Sequence, residues 1–293
     1  LSSISSNNKK EKLASKGARV INSTMAFVIA YMFIIFLFSF ATGLIGKLFG
    51  FDSNISLAGV KFDLGRHKWE KLNVAVIWSF GTLVTALLGG LFFYLFSQFK
   101  SRVNLANLVF LWGAVIAFSI FTAQGILPCL EPGETLACYT NLTVVHTWLG
   151  TPQTIIYILS FFFVLFLAFF SIYASKPFLA FSYSFSKVSK TDRKRKYYFE
   201  TVIVPYLLGC LVLLSFTQFT YPSINFKAVN IVYMACIALS LSVSFLVINI
   251  NDIKKEEVMR YKSLQKTNPV LFILFILLLL FFTTTVRGFY LPF

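Results

Sequence analysis

Charge is what this chain has least of, and acidic charge above all. Of 293 residues only 13% are charged, and 11 acidic residues stand against 26 basic ones. A soluble domain carries about a quarter charged residues, so composition alone argues against a water-soluble core. Histidine is nearly missing. His67 and His146 are the only two, and both lie outside the apolar runs. That excludes a haem held by histidines within a membrane and leaves too few ligands to specify a metal site. Catalytic signatures are missing too: the chain has no His-Glu-x-x-His, Gly-x-Ser-x-Gly, P-loop or Gly-x-Gly-x-x-Gly. Those patterns carry metal hydrolysis, acyl transfer, phosphoryl transfer and dinucleotide binding, so neither an enzyme nor a cofactor is expected. Matching broken helices, which mark inverted-repeat transporters, are also lacking.

What is present is apolar length. Hydrophobic residues make up 57% of the chain and aromatic ones 18%. Seven apolar runs stand out, at 20–48, 72–99, 104–127, 152–175, 197–219, 227–250 and 269–285. At ~1.5 Å of rise per residue each reads as a helix crossing a hydrocarbon core of ~30 Å. The expected fold is an all-α polytopic membrane helix bundle of about seven transmembrane helices. A basic polar segment at 1–19, expected to be poorly ordered, precedes a single transmembrane domain at 20–293.

The basic residues then give a direction. Nineteen of the 26 fall on the side of the N-terminus and seven on the other. The positive-inside rule puts the N-terminus in the cytoplasm and the C-terminus outside. A bacterial inner membrane is the expected location, with the mitochondrial inner membrane as the alternative. The net charge of +15 thus reports topology and not nucleic-acid binding. Its densest cluster, Lys187 to Lys196, is placed to meet anionic lipid headgroups.

Inside the spans, small residues recur at helical spacing: Gly81, Thr85 and Gly89 on one stripe, with Gly90 beside it. Lipid offers no hydrophobic drive for helices to associate, so bare stripes that admit a neighbouring backbone do that work. The second span is therefore expected to be the packing hub. Pro205 lies inside the fifth span; it frees a carbonyl one turn earlier, near Thr201, and should kink the helix. Glu200 is the only acidic residue within a span, and an i,i+4 pair with Lys196 would satisfy it. Gln124, Gln153, Gln218 and Asn230 fall near the outer ends of their spans. They read either as interhelical hydrogen bonds or as the lining of an outward-facing vestibule.

Cys129 and Cys138 flank a polar loop that would face an oxidising compartment, and a disulfide between them is expected. Cys210 and Cys236 read as buried small residues. Val60-Lys61-Phe62-Asp63-Leu64 alternates in the manner of a short strand, and the apolar segment Gly288 to Phe293 is expected to dock on something. Bilayer and protein partners are expected, with no nucleic acid. These features favour a non-catalytic subunit or anchor of a membrane complex. The alternative is a transporter or channel for a small solute.

Overall fold

The structure is a computed structural model describing residues 2–56, 59–62, 69–99, 106–130, 141–182, 184–220, 224–250, 258, 266–284 and 289–291. For 2–15, 56, 59, 61, 141, 216–220, 224–228, 282–284 and 289–291 it describes the backbone alone. The chain is an all-α multi-pass bundle. Among the described residues, six helical stretches are long and apolar enough to cross a membrane: Lys16–Leu48, Lys71–Phe99, Ala106–Leu130, Gln153–Ala180, Thr191–Ser215 and Val229–Val247.

In chain order, α1 runs over Ser2–Leu48 and is followed by short strands β1 (Ser53–Ser56) and β2 (Gly59–Phe62). Next come α2 (Lys71–Phe99), α3 (Ala106–Leu130), a short α4 (Asn141–Leu149) and α5 (Gln153–Ala180). The fifth span is composite. It consists of α6 (Thr191–Tyr198), a π-helical turn (Phe199–Ile203) and α7 (Val204–Thr220). α8 (Ile224–Val247), α9 (Pro269–Thr284) and strand β3 (Phe289–Leu291) complete it.

At 16 residues α9 is shorter than the other spans, about 24 Å at ~1.5 Å per residue. The sheet shows that it is nonetheless a traverse. β1 is the central strand, pairing antiparallel with β2 on one side and with β3 on the other, Ser53 opposite Phe62 and Leu291. Helices α2, α3, α5, α6–α7 and α8 make five passes after β1. Only a sixth pass, by α9, returns the chain to the end of the bundle where β1 lies. Of the C-terminal apolar segment, the described part, Phe289–Leu291, pairs with the protein's own first strand.

That sheet sits on the end of α1. Gly43 lies against the Ile55 side chain and Gly46 against the Phe62 ring so closely that a Cβ at either would force its neighbour to shift. Phe51 stacks on Trp69 at 4.2 Å, and Phe62 meets Trp69 and Trp78 edge-on at 5.6 and 5.5 Å. The aromatic cluster closes this end.

The packing hub is α3 and not α2. α3 buries 17 of its 25 residues, whereas α2 buries eight of 29. The stripe Gly81, Thr85 and Gly89 is buried, and Gly89 lies against Phe118 of α3. Gly90 is exposed with nothing near it. Stripe and hub differ because a bare stripe needs only one close neighbour, while a hub must be small on several faces. The N-terminal segment also departs from expectation, since α1 is helical from Ser2 onward. Pro205 is not alone inside a helix: α3 and α5 extend far enough to include Pro128 and Pro177.

Candidate functional site

Two groups of buried polar side chains stand out, and both are held by α1. The first lies near the basic end of the bundle. Pro205 has no N–H to give to the carbonyl of Thr201, and its ring crowds that carbonyl in a regular α-helix. The chain responds by widening: Val204 N–H bonds back to Phe199 O, closing the π-turn. The carbonyl of Thr201 is then taken by α1, where the Ser23 hydroxyl donates to it at 2.8 Å. The same hydroxyl accepts from Trp112 Nε1 of α3 at 3.0 Å. One serine thus ties three helices at the point where the backbone is irregular. Such π-turns recur at functional positions in helices.

Beside Ser23, the Asn22 side-chain amide donates to Lys266 O at 2.9 Å, and its oxygen accepts from Asn268 N–H at 3.1 Å. Asn22 therefore fixes the start of α9. One turn and a half earlier on α1, Lys16 Nζ meets Glu200 Oε1 at 2.7 Å. The partner of Glu200 is Lys16 and not Lys196: the π-turn and the long α1 bring the former within reach. A cavity of about 10 Å³ adjoins this knot, lined by Arg19, Ser23, Leu108, Phe178, Phe181, Tyr197 and Thr201. That is room for about one water.

The second group lies deeper. Tyr31 of α1 donates to Asn230 Oδ1 of α8 at 2.6 Å. The Gln124 amide of α3 donates to the hydroxyl of Tyr233, one turn along α8 from Asn230. All four side chains are buried. Gln124 Oε1 has no hydrogen-bond partner. The structure thus brings Gln124 and Asn230 together, and it supplies Tyr31 and Tyr233, which the sequence did not single out. Aromatic residues in an apolar run carry no flag for their hydroxyls; the only signal was that Asn230 and Tyr233 share a helix face.

Gln153, by contrast, is the first residue of α5 and only half-buried. Gln218 lies on α7 with its side chain outside the described residues. A third polar contact joins α5 to α8. The hydroxyls of Ser171 and Ser240 lie 2.8 Å apart, and the Ser244 hydroxyl donates to Ser171 O at 2.6 Å.

The disulfide expected between Cys129 and Cys138 is not seen. Cys129 is a free thiol whose Sγ bonds to Ser160 Oγ at 2.9 Å. Ser160 in turn donates to Gly125 O at 2.5 Å. Because α3 continues through Leu130, Cys129 sits within the helix and faces α5, not in the polar loop. Cys138 lies outside the described residues. Cys210 and Cys236 are buried and free.

His146 of α4 lies 3.2 Å from Thr151 Oγ1. Burial pushes its imidazole below the usual histidine value, so it adds no positive charge at neutral pH. His67 lies outside the described residues. Among the described residues no three of His, Cys, Asp and Glu gather where they would hold a metal ion.

Chemically, apart from the Lys16–Glu200 ion pair, these groups are neutral donors and acceptors bonded to one another across helices, with Gln124 Oε1 left over. No protein-family model, curated protein or solved structure matches this chain.

Proposed function

We propose that this multi-pass membrane protein is a non-catalytic subunit or anchor of a larger membrane complex. We further propose that its basic side faces the cytoplasm of a bacterial inner membrane, with the mitochondrial inner membrane as the alternative. The observation that carries the reading is how its buried polarity is used. Ser23 bonds to Trp112 and Thr201, Tyr31 to Asn230 and the Gln124 amide N–H to Tyr233, each across helices. Polar groups spent on helix–helix bonds position a scaffold, whereas a solute path needs them turned toward water. Wide apolar faces on α5 and α9, including Phe161, Phe162, Phe169, Ile273 and Leu277, are then available to lipid and to partner helices.

The test is purification of the tagged full chain in mild detergent with identification of what accompanies it. Fixed stoichiometric partners support the reading, and a lone monomer that remains folded overturns it.

One observation favours the second reading, a transporter or channel. The π-turn places an irregular, proline-marked backbone next to Glu200, which is where moving helices commonly break. If that reading holds, Gln124→Leu and Gln218→Leu abolish flux while protein levels stay normal. A fall in protein levels instead marks these side chains as structural.

A further inference from the structure

The cations between Lys187 and Lys196 are not equivalent once α6 is placed. The helix buries Lys194, Tyr197 and Tyr198 and leaves Lys190, Asp192, Arg193, Arg195 and Lys196 exposed. Two of these already lean on the protein. Arg193 Nη1 donates to Ser186 O at 3.0 Å, and the Arg195 guanidinium stands 6.0 Å from the centroid of the Phe245 ring. Both remain open to solvent on their outer side.

At helical spacing, residues 195, 196 and 199 share one face. Phe199 is 48% exposed on that face, at the first residue of the π-turn that carries the chain into α7. A bare phenyl ring between two cations, at the point where the helix becomes apolar, fits the water–lipid boundary. The ring reaches the acyl region while the cations stay at the level of the phosphates. Asp192 lies on the same face, three and four residues before Arg195 and Lys196, yet among the described residues it makes no ion pair with either; it stands seven residues before Phe199, about 10 Å further from the apolar region at ~1.5 Å per residue. The other nearby carboxylate, Glu200, is engaged by Lys16.

We propose that Arg195, Lys196 and Phe199 form a docking face for anionic phospholipid headgroups, with Lys190 and Arg193 at its edge. The occupant is a lipid and not an acidic protein because of the phenyl ring. A bilayer offers a phosphate and an acyl chain in the same register, whereas a soluble acidic surface has no complement for the ring. The inference goes beyond the reading of the bundle as a subunit, since a transporter with the same α6 would dock in the same way.

The experiment uses the full chain reconstituted in vesicles of equal parts phosphatidylcholine and phosphatidylglycerol. After gentle extraction, the lipids still bound are counted by native mass spectrometry. The wild type is expected to retain phosphatidylglycerol in preference to phosphatidylcholine. Arg195→Gln with Lys196→Gln should lose that preference by about fivefold per cation removed. The same cations help to set topology, so a second variant, Arg195→Lys with Lys196→Arg, keeps the charge and should keep the preference. A control, Lys9→Gln with Lys10→Gln, should also keep it. The proposal is overturned if the double glutamine variant holds phosphatidylglycerol as the wild type does, or if the control loses as much. It is also overturned if the wild type shows no preference, which would leave an acidic protein as the partner of this face.

Discussion

α3 and α5 are neighbours of similar length, 25 and 28 residues, yet α3 buries 17 of them and α5 nine. Hydropathy runs the other way. The most apolar stretch of α5 has a mean hydropathy of 2.7, against 1.9 for α3. In water the greasier helix would be the inner one. In lipid the solvent is as apolar as the side chains, and what earns a central place is small size and the capacity to bond sideways. α3 has Gly113, Ala114, Ala117, Ala123 and Gly125, with Trp112 and Gln124 as bonded polar groups. α5 turns Phe161, Phe162 and Phe169 outward. At one point of their contact the large residue comes from α5 and the small one from α3, Gly125 lying against the Phe163 ring; beside it Phe118 and Phe121 of α3 meet Phe163, Phe166 and Phe170 ring to ring.

The sharpest way to break this contrast is to enlarge α3. Gly125→Leu drives a side chain into Phe163 and should cost about 3 kcal/mol, the upper end of core overpacking. Thermal unfolding in detergent should show it as a large fall in midpoint, and a variant with wild-type stability would refute the packing seen here. Next comes Ser23→Ala, which strands the Trp112 N–H and the Thr201 carbonyl together. Leaving two buried polar groups unbonded should cost about 2 kcal/mol, and Ser23→Thr, which keeps the hydroxyl, should recover most of it.

Gln124→Leu removes a donor to Tyr233 but also an unsatisfied oxygen. Its net loss should be about 1 kcal/mol or less, read as a modest drop in steady-state protein level. Smallest of all, Phe161→Leu on the outer face of α5 should change stability by no more than about 0.5 kcal/mol. A larger loss would mean that this face is covered by protein in the native assembly, which a crosslinking screen from position 161 would then locate.

Much of the fold was legible because it depends on local run length. The helices at Lys71–Phe99, Gln153–Ala180 and Pro269–Thr284 begin within a residue of the apolar runs, and six of the seven runs end within about three residues of a helix end. Pro205 also spoke locally, and the freed carbonyl at Thr201 is where the backbone widens.

What stayed hidden is pairwise. Nothing in the neighbourhood of Glu200 points to Lys16, and nothing beside Tyr31 points to Asn230, 199 positions away. The central role of α3 is hidden because a regular stripe such as Gly81–Thr85–Gly89 marks a single packing face, on α2. A helix that is small on several faces shows no single stripe. The place of Cys129 is hidden in the sequence because Pro128 reads as the end of a helix, whereas α3 runs past it to Leu130.

The junction of β1 with β3 also sets an order of events during biogenesis. Ser53 and Leu291 lie side by side although the ribosome makes one long before the other. Contacts of such long separation form late, so β1 leaves the insertion machinery with one edge bare and keeps it bare while the helices from α2 to α9 are threaded. In that interval the growing chain carries an unsheltered strand edge, open to a chaperone or to a misplaced neighbour. Completion of the ribbon then marks the moment when the final crossing has been made in the correct direction.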